Sequence, residues 1–200
     1  MRDNTCITVQ PGYKGRELLA IMSSDYDYYT GKPRNQDDVP VGTVEWVEQF
    51  LGGPVKPDYY PEYLKDMLHR KVWKSDTAIS GMFVKPGDRY KRFDGQVFKM
   101  NCPSDVWCSE VVEFVDEWRY YVADGDILAA GWYSGSDENS PPPDIPVKLR
   151  GCGAYDFGRL KTGELALVEY QHPYACGWYG DSKDHALYVD WLVRGWESMQ

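Results

Sequence analysis

The sequence predicts an α+β fold, and three observations support this prediction. Two helical segments are followed by a run of strands joined by short turns and then by one amphipathic helix, an order typical of α+β domains. Neither a Gly-x-Gly-x-x-Gly fingerprint nor a Gly-x-x-x-x-Gly-Lys-Ser/Thr loop occurs, so a doubly wound nucleotide-binding sheet is not indicated. A chain of 200 residues is long enough for one domain, or for two small lobes around one cleft.

The first part of the chain predicts one strand and two helices. Residues 6–9 are strand-like, whereas the polar, Tyr-rich stretch that ends near residue 38 carries little signal. From Pro40 a short strand or turn leads into a segment whose apolar residues recur at helical spacing and which ends at two consecutive glycines. Residues 63–73 predict the second helix.

The remainder predicts strands that pair as hairpins, followed by a helix. A polar loop rich in Lys and Arg, an Asp-Gly turn and a Lys-Thr-Gly turn join the successive strands. A stretch with Ser, Asp, Asn and three prolines, residues 134–144, is the clearest loop, and the amphipathic helix begins at His185. The predicted strands are residues 79–85, 93–100, 118–123, 127–133, 153–157 and 164–171.

Composition restricts the classes of partner and the compartment. The chain has 31 acidic and 22 basic residues, a formal net charge of −9, so broad binding to nucleic acid or to an anionic membrane is not expected. No apolar run is long enough for a membrane span, and the N-terminus lacks the apolar core of a secretory signal, so we expect a cytoplasmic protein. Five scattered cysteines without a Cys-x-x-Cys motif indicate free thiols rather than disulfides or a zinc site.

Two carboxylates and one amide form the first candidate site. Asp156 ends one predicted strand, and Glu169 and Gln171 lie two residues apart on the next, where their side chains share a face of the sheet. Oxygen ligands of this kind suit Mg²⁺. From the pattern alone, ordinary polar positions on a half-exposed sheet are the favoured interpretation of these residues.

Two further groups of residues are candidates for binding a nucleotide. Lys85 ends an apolar strand next to a loop that contains Arg89, Lys91 and Arg92, and a triphosphate requires cations of this kind. A solvated charge cluster is the alternative. The acidic segment 109–119 offers backbone groups for an adenine edge and carboxylates for a ribose, or else forms a bend between two strands.

The order and spacing of these groups resemble the ATP-grasp fold over residues 40–196. The residues that carry the resemblance are Phe83-Val84-Lys85-Pro86, Ser109-Glu110-Val111-Val112 and Val168-Glu169-Tyr170-Gln171. Further details resemble a compact clade of that family, named for two arginines and a lysine, many of whose members are encoded by phages and bacteria. These details are segments 40–45, 117–119, 177–180 and 194–196.

The resemblance implies two small lobes whose antiparallel sheets sandwich a nucleotide cleft, with helices packed outside. It implies a reduced N-terminal part over residues 1–78 and an ATP-grasp core over residues 79–200, divided into lobes 79–112 and 113–200. The implied activity is ATP-dependent carboxylate–amine ligation through an acyl phosphate, with ATP and Mg²⁺ bound. The carboxylate and the amine are unknown, a peptide or protein being one possibility, and a phage-encoded enzyme would act in the host cytoplasm.

The resemblance also implies roles for single residues. Lys85 would contact the α- and β-phosphates, and Lys91 or Arg92 would close over the γ-phosphate. Arg119 would reach the transferred phosphoryl group or the substrate carboxylate. The adenine would meet the hinge formed by Glu110, Val111 and Val112, the ribose would meet Glu117 or its rival Glu113, and the metal would meet Asp156, Glu169 and Gln171.

Two positions depart from the family pattern. Gln171 stands where Asn is usual, so the amide oxygen is carried on a side chain one methylene longer. Gly131-Trp132-Tyr133 lies where the clade tends to place a basic residue before the Tyr, for which Arg150, Arg159 or Arg194 are substitutes. The short N-terminal part leaves little protein to form an amine pocket, so an external partner or a macromolecular substrate is expected to complete it.

Other functions are less well supported by the sequence. The main alternative is a non-catalytic, aromatic-rich module that binds a nucleotide or a partner. The segment 91–95 resembles the Lys-x-Asp-Gly motif of nucleotidyl transfer, but Arg92 occupies the position of the lysine and cannot act as its nucleophile. Three scattered histidines and no Gly-x-Ser-x-Gly motif give a hydrolase little support.

Overall fold

The computed structural model describes residues 5–53, 55, 58–88 and 93–200. These contain three sheets, and in the described ranges no helix has the length and apolar character needed to cross a membrane. The helices are α1 Leu18–Met22, α2 Val44–Glu48, a 3₁₀ helix Glu62–Met67, a 3₁₀ turn Ser182–Asp184 and α3 His185–Ser198. The strands are β1 Ile7–Val9, β2 Tyr28–Thr30, β3 Val39–Val41, β4 Val72–Ala78, β5 Phe83–Pro86, β6 Gln96–Val97, β7 Cys102–Ser109, β8 Phe114–Ala123, β9 Asp126–Gly135, β10 Gly153–Leu160 and β11 Leu165–Gln171.

The N-terminal sheet is parallel and has the order β2-β1-β3. Ile7 of the central strand pairs with Tyr28 on one side and with Val39 on the other. Only β1 and the region of β3 were predicted from sequence, because three-residue strands in a Tyr-rich, polar stretch have too few positions to show a period. The sheet packs beside α3, which contacts both α1 and β3.

The small sheet is antiparallel and has the order β4-β7-β5-β6. The predicted helix over 63–73 is wrong in its second half. The 3₁₀ helix ends at Met67, His69 adopts a left-handed backbone with φ of +48°, and Val72 pairs with Ser109 at the start of β4. A left-handed residue cannot continue a right-handed helix, so the chain turns into a strand here.

The predicted strand over 79–85 is also wrong in its first half. Gly81 has φ of +81°, a value that suits a turn, and the tight turn there separates β4 from β5. The expected hairpin partner over 93–100 is reduced to β6, whose Val97 pairs with Phe83. The hairpin is thus confirmed, but its second strand is shorter than predicted.

The large sheet is antiparallel, has the order β11-β10-β8-β9, and confirms both hairpins predicted for it. Its strands extend beyond the predicted bounds: β8 begins at Phe114 and β10 ends at Leu160. The predicted loop over 134–144 follows the end of β9, and the predicted C-terminal helix is α3. The α+β prediction with antiparallel sheets is therefore confirmed, and the parallel N-terminal sheet is an addition to it.

Alternation along β8 divides the large sheet into two differently covered faces. Trp118, Tyr120 and Val122 pack on one face in a core that includes residues of the 3₁₀ helix. Tyr121 and Ala123 point to the other face and pack against α3 and the N-terminal sheet. On that second face the α3 layer covers one end of the strands, and Glu117 and Arg119 occupy the other end.

Candidate active site

Strand register places the charged residues of the large sheet in one row across three strands. Arg119 of β8 pairs with Asp156 of β10, and Asp156 pairs with Glu169 of β11. Gly131 of β9 pairs with Arg119 at the other end of the row. Since paired residues of adjacent strands point to the same face, the three charged side chains meet on the face that α3 leaves open.

Arg119 and Asp156 form a bidentate ion pair in the middle of the row. Nε and Nη2 of Arg119 donate to Oδ1 and Oδ2 of Asp156, each at 2.7 Å. Both residues are buried, Asp156 with an exposure of 1%. Burial alone would lower the pKa of Arg119, but the Asp156 carboxylate raises it well above its ordinary value, so the guanidinium is a permanent cation here.

Lys85 and Glu169 form a second ion pair, which joins the small sheet to the large one. Lys85 is the third residue of β5, and its ammonium lies 5.1 Å from the ring centroid of Tyr59. Burial favours the neutral amine, but the Glu169 carboxylate prevails and raises the pKa of Lys85. Burial and Glu169 also raise the pKa of Tyr59, to about 12. Lys85 is therefore a cation held between the two sheets.

Glu117 lies two residues before Arg119 and faces the same side. Its Oε2 accepts a hydrogen bond of 2.7 Å from the hydroxyl of Tyr133. Burial raises the pKa of the Glu117 carboxyl, the Tyr133 hydrogen bond opposes that rise, and the carboxylates of Asp156 and Glu169 add to it. Glu117 thus adds a third carboxylate beside the row, and it accepts a hydrogen bond from the neutral hydroxyl of Tyr133.

A cavity of about 180 Å³ lies between the two sheets, next to Lys85. Its walls include the predicted hinge residues Glu110, Val111 and Val112 together with Glu117. The remaining lining residues are Arg70, Phe83, Lys85, Ser109, Phe114 and Val168. Lys71, the residue before β4, anchors the hinge by two hydrogen bonds to Glu110. The Lys71 N–H donates to Glu110 Oε2 at 2.9 Å, and the Lys71 carbonyl accepts the Glu110 N–H at 3.0 Å.

A second cavity, of about 260 Å³, is also lined by Lys85. It shares Phe83 and Lys85 with the first cavity and is bordered by Glu169 and the Asp94-Gly95 turn. Each cavity alone is smaller than the roughly 300 Å³ of an ordinary ligand site, but the shared residues make them two halves of one cleft. Lys91 and Arg92, predicted to border this part, lie outside the described residues.

The predicted metal ligands are neighbours on β10 and β11. Gln171 donates from its amide nitrogen to Glu169 Oε1, while its amide oxygen lies 3.4 Å from the Cys176 thiol. Two carboxylates and one amide, all hard oxygen donors on one face, fit Mg²⁺ that completes its shell with phosphate oxygens and water. Within the described ranges no group of three or more His, Cys, Asp or Glu side chains is arranged as a metal site by protein ligands alone.

Glu113, the rival of Glu117, lies outside the cleft. It is exposed and pairs with exposed Lys161 at 2.6 Å, whereas Glu117 lines the first cavity. The three arginines proposed as substitutes at Gly131 are engaged elsewhere: Arg159 with Asp116, Arg194 with Asp124, and Arg150 over the ring of Tyr63.

Sequence reasoning missed Arg70 altogether and assigned no role to Tyr179. Arg70 lines the first cavity and donates to the carbonyls of Leu68, Leu167 and Val168 at 2.8–3.1 Å, which ties the start of β4 to β11. Tyr179 lies beneath two guanidiniums, Arg119 at 5.3 Å and Arg16 at 4.9 Å from the ring centroid. A lone arginine between two predicted elements gives no periodic signal, but the Gly-Trp-Tyr-Gly segment itself marked Tyr179.

This arrangement of two antiparallel sheets around a cleft, with a lysine from one facing carboxylates from the other, defines an ATP-grasp domain. A family model confirms it: residues 67–189, more than half of the chain, match the model of the ATP-grasp domain, R2K clade family 2. The chain therefore belongs to that family, and the membership supports ATP as its nucleotide. No curated protein sequence matches the chain significantly.

Solved structures with a similar fold share little sequence with this chain. A D-alanine–D-alanine ligase from Bacillus anthracis complexed with ATP is 11% identical, with a TM-score of 0.49 over 96% of this chain and 97% of that one. The D-cycloserine synthetase DcsG is 14% identical, with a TM-score of 0.49 over 98% and 100%. The ATP-grasp ligase PsnB, complexed with a minimal precursor, is 8% identical, with a TM-score of 0.43 over 86% and 90%.

Proposed function

We propose that the chain is an ATP-dependent carboxylate–amine ligase that forms an amide or peptide bond through an acyl phosphate. The observation that carries the proposal is a row of two carboxylates flanked by two cations: Lys85, Glu169, Asp156 and Arg119 lie side by side, next to the cleft that the hinge borders. Membership in the ATP-grasp family supports the same reading.

The chain's own residues are suited to hold the nucleotide in one orientation. The apolar wall of Phe83 and Val112 suits a base, and the backbone groups of Val111 and Val112 beside it are proposed to hydrogen-bond the base. Glu117 lies on the same wall and is placed to accept from ribose hydroxyls. Lys85 divides the two halves of the cleft, so phosphates that extend from the first half into the second pass its ammonium.

Asp156, Glu169 and Gln171 would hold Mg²⁺. When bound there, the ion neutralises charge that develops on the transferring phosphoryl group. In the absence of the ion, Lys85 neutralises Glu169 and Arg119 neutralises Asp156. With the ion bound to the carboxylates, the two cations would be available to the phosphates and to the substrate carboxylate.

Arg119 is the residue that we assign to the transferred group. In the first step a carboxylate oxygen of the substrate attacks the γ-phosphorus and ADP leaves. In the second step an amine nitrogen attacks the acyl carbon, the phosphate leaves and the nitrogen loses a proton. A permanent guanidinium beside the reacting oxygens stabilises charge in both steps without titrating.

The test is an assay of nucleotide products with Mg-ATP and pools of carboxylates and amines, including amino acids and peptides. The proposal predicts release of ADP and phosphate that depends on both substrates, and loss of that release in Glu169→Gln. ATP binding without release from any pool identifies the non-catalytic module instead, and release of AMP and pyrophosphate identifies adenylation. The need for ATP accords with the cytoplasmic location expected from sequence.

A further inference from the structure

A third cavity, of about 40 Å³, shares Tyr59 with the second cavity of the cleft, which is the phosphate half in the proposed function. Glu169 borders the phosphate half, and Gln171, which contacts Glu169, borders this third cavity. The cavity therefore opens beside the residues assigned to the metal and the reacting group. Its lining residues are Val44, Glu48, Val55, Asp58, Tyr59, Tyr170, Gln171, His172, Tyr174 and Ala175.

We propose that this cavity binds the amine substrate as a primary ammonium head group. The inference rests on the proposed ligase function, since it names the class of the second substrate. Two carboxylates, Glu48 and Asp58, line the cavity together with the aromatic rings of Tyr59, Tyr170 and Tyr174. Carboxylates and aromatic faces both attract a cation, and the carboxylates repel phosphate.

The aromatic wall is fixed in place by its own hydrogen bonds. Tyr174 donates its hydroxyl to Glu48 Oε1 at 2.9 Å, and its ring stacks on His172 with an interplanar angle of 13°. The backbone carbonyl of Tyr59 accepts the backbone N–H of Tyr170 at 2.8 Å, which fixes the two segments that carry these rings. A site assembled in advance in this way loses little entropy when its ligand binds.

Charge separates the two substrates across the row of the large sheet. Lys85 faces the phosphate half, and Glu48 and Asp58 face the third cavity. Amine and acyl phosphate then reach Gln171 and Glu169 from two different cavities. Before attack the ammonium transfers one proton to a carboxylate of the cavity, which leaves the nitrogen lone pair free.

The two carboxylates favour a head group that can donate hydrogen bonds. A primary ammonium donates to carboxylate oxygens, whereas a quaternary ammonium has no N–H to donate. Because the cavity is small, about 40 Å³, the rest of the substrate must extend outside it.

The experiment is a titration of the full chain with methylammonium chloride, followed by the methyl NMR signals of Val44 and Val55, which line the cavity. The proposal predicts saturable shifts of both residues with methylammonium and none with acetate or tetramethylammonium. In Glu48→Gln/Asp58→Asn the dissociation constant should rise at least tenfold. The matched control is Asp126→Asn/Glu138→Gln, the same charge change at exposed residues that do not line the cavity, and it should bind as the unchanged chain does.

Shifts with acetate or tetramethylammonium of the same size, or an unchanged constant in the Glu48/Asp58 variant, would overturn the proposal, as would no shift with methylammonium. ATP titrated into the same samples, read on the methyl signals of Val111 and Val112, separates the two claims. ATP binding without methylammonium binding refutes the amine site alone. Methylammonium binding without ATP binding refutes the ligase proposal itself.

Discussion

The buried pair of Arg119 and Asp156 makes stability and activity depend on the same side chains. Arg119→Ala leaves the Asp156 carboxylate buried without its guanidinium, which we expect to cost about 3–5 kcal/mol of the free energy of unfolding. Urea unfolding measures this loss. The control is Arg194→Ala, whose partner Asp124 is exposed, and there we expect less than about 1 kcal/mol. Equal losses in both variants would show that burial of the pair does not matter.

Lys85 should act on nucleotide affinity rather than on the transferred group. We expect Lys85→Ala to weaken ATP binding roughly tenfold or more, because a charge-assisted hydrogen bond is lost. Arg119→Ala, tested where it remains folded, should chiefly slow turnover. Isothermal titration measures ATP affinity, and steady-state rates measure turnover. The control is Lys99→Ala, at an exposed lysine between β6 and β7 of the small sheet. Equal effects of the two variants on ATP affinity would contradict the roles assigned here.

Glu17 makes stability depend on pH from outside the cleft. Its exposure is 1%, its Oε1 accepts from Tyr13, and its Oε2 is buried with no hydrogen-bond donor among the described residues. Burial raises the pKa of Glu17 above its ordinary value of 4.5. The folded state therefore binds this proton more tightly than the unfolded state, so stability falls as pH rises from 4.5 through the folded-state pKa.

Glu17→Gln removes this titration and keeps the acceptor for Tyr13. We expect the variant to be more stable than the unchanged chain by about 1 kcal/mol at neutral pH and to lose the advantage below the ordinary pKa of glutamate. Thermal unfolding across pH measures it. If Glu17→Gln is stabilised most at acidic pH, the pKa of Glu17 is not raised by folding and the prediction is wrong.

The segment 177–180 and strand β9 fit together only because residue 131 is a glycine. A Cβ at Gly131 would overlap the carbonyl carbon and oxygen of Tyr179, and Tyr179 lies against Arg119. We expect Gly131→Ala to cost about 1–3 kcal/mol of stability and to reduce turnover, since the segment must move away from the charged row. Gly177→Ala is the matched control in the same segment, because the nearest atom to its Cβ lies 4.0 Å away. Chemical unfolding and turnover of both variants test this, and a Gly131→Ala variant as active as Gly177→Ala would contradict it.

Local sequence patterns were sufficient to predict the long helices and strands but insufficient to predict the short ones. β8, β9, β10, β11 and α3 have strong alternation or helical spacing and were predicted. The error over 63–73 arose because apolar spacing continues past Met67, whereas the left-handed His69 that ends the helix leaves no trace in that spacing. The parallel N-terminal sheet is held by pairings between residues about 20–30 positions apart, which no local pattern reports.

In the candidate site, too, local motifs predicted some residues, whereas others depend on strand register and long-range contacts. Single motifs located Lys85, Glu169 and the 110–112 hinge, because each occupies a characteristic position in a strand or just after one. The pairing of Arg119 with Asp156 required the register of β8 against β10, which the sequence does not specify. Arg70 reaches the cleft through carbonyls nearly 100 residues away, so its place was visible only in the folded chain.

The chain's size and its net charge are both compatible with a nucleotide site in the cleft between its sheets. A net charge of −9 is compatible with a nucleotide site, because the phosphates need only the few cations that the fold brings to Lys85. The two sheets approach each other through the pair of Lys85 and Glu169 and through Arg70. Helix α2, which follows the N-terminal sheet, adds Glu48 and Val44 to the third cavity, where we propose that the amine binds.

The acyl phosphate is the part of the account that an isotope experiment tests most directly. A carboxylate substrate labelled with ¹⁸O in both oxygens, given with Mg-ATP and its amine, should transfer one labelled oxygen to the released phosphate and leave the other in the amide. Mass spectrometry of the phosphate reports it. Labelled phosphate together with unlabelled ADP is the result that this account predicts. Label in AMP, or phosphate without label while the amide forms, would contradict it.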